Sequence, residues 1–289
     1  MITKEIEFLA PESVAEALEV LSVRGPDVTV LSGGMSLMPM MNLGIVKPSV
    51  VMSLNHVAGL DSLSVEDGEL KIGGMTRHRT VMTDDLIGTH APMLAEAART
   101  VGDVQVRNRG TIGGSIAHAD PSADYLPVLA AGNAELVLAS SEGTRRVPAA
   151  EFFIDLMFTV REPHELLTEV VMPVLEPGAG SGYVRFARVE GSFAIVNAAA
   201  VIGEGYSSTH IALGGVSPAP VMLDASDLFA DGLSDEALEE LASRAFDASE
   251  EATGDIHSDA DYRRNMAGVF ARRAVELAAG RLATAGGGS

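Results

Sequence analysis

Residues 106–125 are Val106-Arg107-Asn108-Arg109-Gly110-Thr111-Ile112-Gly113-Gly114-Ser115-Ile116-Ala117-His118-Ala119-Asp120-Pro121-Ser122-Ala123-Asp124-Tyr125. The central Thr111-Ile112-Gly113-Gly114-Ser115 has a counterpart upstream, Ser32-Gly33-Gly34-Met35-Ser36, which directly follows the apolar run Val28–Leu31. Each segment pairs two glycines with a small hydroxyl residue. Glycine reaches positive φ and lets the backbone come close to a ligand. Successive exposed N–H groups then form an anion-binding concavity, to which Ser and Thr hydroxyls add donors. Two such loops facing one another would grip a pyrophosphate from both sides. Glycine pairs also mark ordinary tight turns, as at Gly73-Gly74 and Gly214-Gly215, and spacing alone leaves both readings open.

Nearer the N-terminus, Ser13 followed by Glu16 forms a capping box, and Val14, Ala17, Leu18 and Leu21 make one apolar stripe that stops at Gly25. Val28–Leu31 reads as a buried strand running into the first glycine loop. Further strands are expected at Val50–Leu54, Glu69–Ile72, Ala134–Ser140, Leu166–Val174, Tyr183–Val189, Ala194–Ile202 and Thr209–Leu213. Helices are expected over Pro92–Val101, closed by Gly102, from Ser234 to about Ala248, and over Ala260–Ala279. Strands and helices mix without strict alternation, so the class is α+β rather than a doubly wound sheet. Pro177-Gly178-Ala179-Gly180-Ser181 is a flexible break, placing a boundary at about residue 176. The first part, 1–176, divides into subdomains of about 1–55 and 56–176, and 177–289 is a smaller C-terminal domain of sheet and helices. The final Gly286-Gly287-Gly288-Ser289 is either a native frayed tail or an appended linker.

Composition narrows the chemistry. The 289 residues carry 20 Lys+Arg against 40 Asp+Glu, a net charge of −20, and are 47% hydrophobic with no Cys and no Trp. Residues 222–261 hold thirteen acids and one Arg, so much of the charge lies late in the chain. An acidic chain has no footprint for a phosphate backbone, so no nucleic-acid partner is expected. The absence of cysteine excludes disulfides, thiolate zinc sites and thiolate-ligated iron–sulfur clusters. The longest apolar run, Phe193–Gly203, is too short to span a bilayer, and the N-terminal stretch has no secretion signal, so a cytoplasmic location is expected. No GxGxxG, Gly-Lys or G-x-S-x-G pattern occurs, and His164-Glu165 lacks a second His at zinc-protease spacing. His118, Asp120 and Asp124 fit turn capping better than metal ligation. No metal site and no proton-transfer residue is expected.

The 106–125 stretch and the segment from Ser32 to Leu43 closely resemble the FAD-binding medium subunit of the molybdenum hydroxylase family, the group of xanthine dehydrogenase and carbon monoxide dehydrogenase. The resemblance extends to the N-terminal helix, Phe152-Phe153, Glu165-Leu166, the Tyr183–Ala194 segment and Tyr262-Arg263, nearly the whole chain. It implies a two-subdomain FAD-binding fold of the PCMH type followed by a smaller α+β domain. It assigns Ser32, Gly33, Gly34, Met35, Ser36, Thr111, Ile112, Gly113, Gly114 and Ser115 to the FAD pyrophosphate. Asp124 matches a flavin-contacting position; it either accepts from a ribityl or ribose hydroxyl or caps the helix starting near Tyr125. Leu167 either meets the flavin or packs in the core, and Arg185, where the family usually has Lys, either places a cation near the cofactor or lies on a solvated strand face.

Two positions depart from the family pattern. Phe193 stands where Tyr or Trp is common, keeping a stacking face without a hydroxyl. Met35 replaces the more usual His or Gln with a soft apolar side chain. The resemblance further implies that substrate is oxidised at a molybdenum cofactor on a large molybdopterin-binding subunit. It likewise implies a small subunit with 2Fe-2S clusters that passes electrons to FAD on this chain, in a dimer of heterotrimers. The protein around a flavin supplies binding, orientation and electrostatics, which suits a site list without a catalytic acid or base. The alternative is a stand-alone flavin oxidoreductase of the same fold.

Overall fold

A computed structural model describes residues 5–285; the Gly286–Ser289 tail lies outside the described residues. The chain begins with a parallel three-stranded sheet of β1 (Glu7–Leu9), β2 (Val28–Leu31) and β3 (Val50–Ser53), in the order β1-β3-β2. Helix α1 (Val14–Arg24) crosses between β1 and β2, and α2 (Leu37–Leu43) between β2 and β3. The α1 cap forms on the expected Ser13, with the return bond from Glu16 made one residue upstream of the cap. Ser13 Oγ accepts the Glu16 N–H at 3.2 Å, while the Glu16 carboxylate accepts the Glu12 N–H at 2.8 Å. Ala17 and Leu21 of the stripe are fully covered and pack with Met52, Leu54, Leu60, Met75 and Leu166. Strand β2 is half-buried throughout rather than buried, because it is an edge strand.

A five-stranded antiparallel sheet follows, in the order β4-β5-β10-β6-β7. Its strands are β4 (Leu63–Glu66), β5 (Glu69–Gly73), β6 (Glu135–Ser140), β7 (Gly143–Pro148) and β10 (Leu166–Pro173). Between β5 and β6 the chain winds through six short helices: α3 (His78–Thr83), α4 (Asp85–His90), α5 (Pro92–Thr100), α6 (Val104–Arg109), α7 (Ile112–His118) and α8 (Tyr125–Ala131). Helix α5 has Pro92 in its first turn and buries Met93, Leu94, Ala95, Ala97 and Ala98. After β7, α9 (Ala149–Phe152) leads into the small hairpin of β8 (Phe153–Asp155) and β9 (Phe158–Thr159). Strand β10 breaks register between Leu167 and Glu169 against β6, a bulge that re-aims the backbone there.

The C-terminal unit is a four-stranded antiparallel meander of β11 (Gly180–Phe186), β12 (Val196–Ile202), β13 (Thr209–Gly214) and β14 (Val221–Asp224). Helices α10 (Ser226–Phe229), α11 (Asp235–Asp247) and α12 (Ala260–Ala285) follow it. Val196, Ile211, Leu213, Leu241, Phe270 and Val275 form its core between sheet and helices. The larger core beneath α5, α7 and α8 takes in Tyr183, Ala199 and Ala212 from this sheet, so apolar packing runs continuously from one part to the other. The architecture is α+β, and among the described residues only the first sheet is parallel.

Candidate functional site

The two glycine segments, far apart in sequence, meet. A Cβ placed on Gly33 would fall on the carbonyl oxygen of Arg109 and lie 2.6 Å from Gly110 Cα. One placed on Gly114 would stand 3.2 Å from Ser32 Cβ. A Cβ on Gly113 would lie 2.5 Å from the carbonyl oxygen of Gly74, which in turn backs onto Leu167. The segments are thus stacked main chain on main chain. Gly34 is required for a second reason, its φ of +78°.

Their local structures differ. The first segment is a true loop between β2 and α2. Among the described residues no hydrogen bond uses the backbone N–H of Ser32, Gly33, Gly34, Met35 or Ser36. The second, read from sequence as a loop, is the first turn of α7. Thr111 caps it, accepting the Gly114 N–H on Oγ1 at 3.1 Å. There four of the five donors are engaged, Ile112 to Thr76 O, Gly113 to Gly74 O, Gly114 to Thr111 Oγ1 and Ser115 to Thr111 O, and among the described residues only the Thr111 N–H is unused. The row of free main-chain donors therefore lies on the first segment. The second contributes the surface that the first rests on, together with the Ser115 hydroxyl, which like those of Ser32 and Ser36 makes no hydrogen bond among the described residues.

Side chains absent from the sequence reading lock this meeting. Arg77 donates to the Arg109 carbonyl and, at 3.0 Å, to Asn55 Oδ1, whose amide reaches Ser32 O at 3.4 Å. One guanidinium so joins both segments. His78 lies beneath Gly110: its N–H donates to Gly110 O at 3.1 Å, and its Nδ1 shares a 2.9 Å hydrogen bond with the Tyr125 hydroxyl. Burial, reinforced by the charges of Arg77 and Arg107, lowers the His78 imidazole to about 4, so it is neutral. No residue pattern in the sequence marks Arg77 and His78, which stand three and four residues after Gly74.

Asp124 is buried just before α8 and makes no capping hydrogen bond to that helix, contrary to one of its two sequence readings. Its Oδ1 accepts from the Tyr183 hydroxyl at 2.5 Å, and Arg185 Nη1 lies 3.1 Å from the same oxygen and 3.3 Å from Oδ2. Burial pushes the carboxyl up, opposed by Arg185 and by the hydroxyls of Tyr183 and Thr100. Arg185 is not on a solvated face, since it also donates to Thr100 O at 2.7 Å and to Ser192 O. It thereby anchors the segment carrying Phe193, a residue 60% exposed. Leu167 is buried at the β10 bulge beside Gly74, and Met35 is partly exposed on the first loop. Among the described residues no group of His, Asp and Glu is arranged to hold a metal ion.

Residues 4–175 match the FAD binding domain in molybdopterin dehydrogenase, and residues 181–278 match the CO dehydrogenase flavoprotein C-terminal domain. The chain belongs to the FAD-binding medium-subunit family of the molybdenum hydroxylases. It is 36% identical to the carbon monoxide dehydrogenase medium chain of Hydrogenophaga pseudoflava, over 98% of this chain and 100% of that one. It is 32% identical to the 6-hydroxypseudooxynicotine dehydrogenase complex subunit alpha of Paenarthrobacter nicotinovorans, over 94% of each. Its fold superposes with a TM-score of 0.92, at 35% identity, on a chain of H. pseudoflava carbon monoxide dehydrogenase lacking the Mo-pyranopterin moiety, covering 97% of this chain and 99% of that one. Medium subunits this similar serve enzymes with unlike substrates, so family membership leaves this chain's substrate open.

Proposed function

We propose that this chain is the FAD-carrying electron-transfer subunit of a heteromeric molybdenum hydroxylase, receiving electrons from partner iron–sulfur clusters and delivering them to an external acceptor. The observation that carries the proposal is the stacking of Ser32–Ser36 on Arg109–Gly114, with a row of unused N–H donors on the first segment. Such donors suit a pyrophosphate, which is anionic and oxygen-rich. Ser32, Gly33, Gly34, Met35 and Ser36 bind it through the main chain; Thr111, Ile112, Gly113, Gly114 and Ser115 form the opposing wall. Asp124 accepts a cofactor hydroxyl, Arg185 fixes Asp124 and the 187–194 segment, and Leu167 and Phe193 offer apolar surface to the ring system. When bound, FAD supplies the electron-transfer chemistry; the residues named bind and orient it.

The chain divides on this reading into an FAD-binding domain, 1–176, with subdomains of about 1–55 and 56–176, and a C-terminal domain, 177–289. Having no cysteine, it cannot ligate an iron–sulfur cluster through thiolates, so the 2Fe-2S clusters reside on a small subunit and the molybdenum cofactor on a large one. The assembly is a dimer of heterotrimers in the cytoplasm. No helix among the described residues is long and apolar enough to cross a membrane. The purified chain or its complex should be yellow and release FAD rather than FMN on denaturation. Protein that remains colourless after FAD addition refutes the cofactor assignment. Copurification with molybdenum and iron–sulfur subunits is expected, and full substrate turnover by the isolated chain would point to a stand-alone oxidoreductase instead.

A further inference from the structure

Strand β12 opens with Val196-Asn197-Ala198-Ala199-Ala200, all five buried, yet the second is an amide. Asn197 is fully buried, and its Oδ1 has no hydrogen-bond partner among the described residues. A buried carboxamide that is only half satisfied costs stability compared with an apolar residue of similar size. Packing alone does not account for it. The amide fits because its neighbour across the sheet, Gly214, has no Cβ that would meet Oδ1.

The other end of the amide has a direction. Asn197 Nδ2 donates to Ala123 O at 3.3 Å and to the Tyr183 hydroxyl oxygen at 3.4 Å. A phenol has one proton. With a donor already directed at its oxygen, Tyr183 turns that proton to Asp124 Oδ1, 2.5 Å away. Arg185 approaches the carboxylate from the same strand as Tyr183, and the two together fix its plane. The sequence of donors is therefore Asn197 to Tyr183 to Asp124, running from the C-terminal sheet into the cofactor-binding part of the chain.

We propose that Tyr183 and Asn197 are positioning residues for the flavin, holding the Asp124 carboxylate in the one orientation that accepts a cofactor hydroxyl. The inference rests on the reading of Asp124 as a flavin contact. It makes the C-terminal sheet part of the cofactor site without a direct contact. The groups facing the carboxylate are Tyr183 and Arg185 from β11 and the Thr100 hydroxyl from α5, with Tyr125 next in the chain.

The test is a double-mutant cycle on the full chain, titrating the apoprotein with FAD and measuring the reduction potential of the bound flavin. Asp124→Asn and Tyr183→Phe should each weaken FAD binding about tenfold, the loss of one hydrogen bond to a charged group. Each should also shift the potential. In the Asp124→Asn background Tyr183→Phe should add nothing, because its effect passes through that carboxylate. Asn197→Val separates positioning from packing: it removes an under-satisfied buried amide, so its melting temperature should equal or exceed the wild type while FAD affinity falls. That variant also reads the same relay should Tyr183→Phe fail to fold. If Asp124→Asn binds FAD and holds its potential as the wild type does, the reading of Asp124 is wrong. If Asp124→Asn weakens binding while Tyr183→Phe and Asn197→Val do not, or if the first two effects add, the positioning role is overturned.

Discussion

Replacing Gly33 by Ala asks whether the stacked main chains make the cofactor cradle. Gly33 does not have positive φ, so alanine meets no conformational penalty there. Its methyl would instead land on the Arg109 carbonyl oxygen, 2.6 Å from Gly110 Cα and 2.9 Å from the Arg109 carbonyl carbon. Carbon atoms rest about 3.5–4.0 Å apart, so the segments must separate by roughly 1 Å. The lower segment cannot yield easily: Arg77 holds the Arg109 carbonyl, His78 holds Gly110 O, and Gly110 N–H is bonded to Val106 O at 2.7 Å. Overpacking of this kind costs about 1–3 kcal/mol. If the segments part in the apoprotein and must be drawn together by FAD, the whole cost appears in affinity, a weakening of about 5-fold to 150-fold. Fluorescence titration of apoprotein with FAD measures it. Gly88→Ala is the control, since a Cβ there meets nothing within 4 Å. A Gly33→Ala protein as stable as the wild type and binding FAD with equal affinity would show that the stacked main chains do not form the cradle.

Arg77→Met should weaken FAD about tenfold, through loss of the donors that join Arg109 to Asn55; equal affinity by the same titration rejects the link. His78 titrates near 4 when folded and near 6.5 when unfolded, so the unfolded chain takes up its proton first as pH falls. Its contribution is complete above about 6.5 and declines toward pH 4 by up to about 3 kcal/mol. Urea denaturation at several pH values should show that slope reduced in His78→Gln, and identical slopes would count against a neutral buried imidazole. Glu165 accepts Arg145 Nε at 2.6 Å and the Glu162 N–H at 2.8 Å, and the Arg145 hydrogen bond holds its carboxyl below 4.5. The stabilisation is present above 4.5 and lost as pH falls through that lowered value. Glu165→Gln should cost about 1–3 kcal/mol at neutral pH and less in acid; a deficit independent of pH would show that the ion pair is not its source.

What the sequence made legible was local. The Ser13–Glu16 cap, the α1 stripe and the Gly102 stop depend on neighbours in the chain, and each is found where the pattern placed it. Helix α7 escaped because Gly113 and Gly114 are poor helix formers; it forms over packed Ile112 and Ile116, under a Thr111 cap that resembles a loop residue in isolation. The contact between Gly33 and Arg109 spans too many residues for any periodicity to report it. Asn197 did carry a signal, a lone amide in an apolar strand, but its target Tyr183 is reached only through the β11–β12 register. For Arg77 and Asn55 the chain offers no pattern, since their pairing is made by the fold.

Three of the close approaches described above, at Gly33, Gly110 and Gly113, leave main chain or ring atoms where a side chain would stand. A cleft floored in this way has nothing on its floor for drift to reshape by degrees. A substitution there displaces backbone or, at Gly110, the buried His78 ring, whereas one at Met35 or Phe193 changes only an exposed side chain. The two departures from the family pattern fall at exposed positions. Engineering a different flavin preference into this scaffold would therefore have to work from the rim, because the floor accepts one residue type.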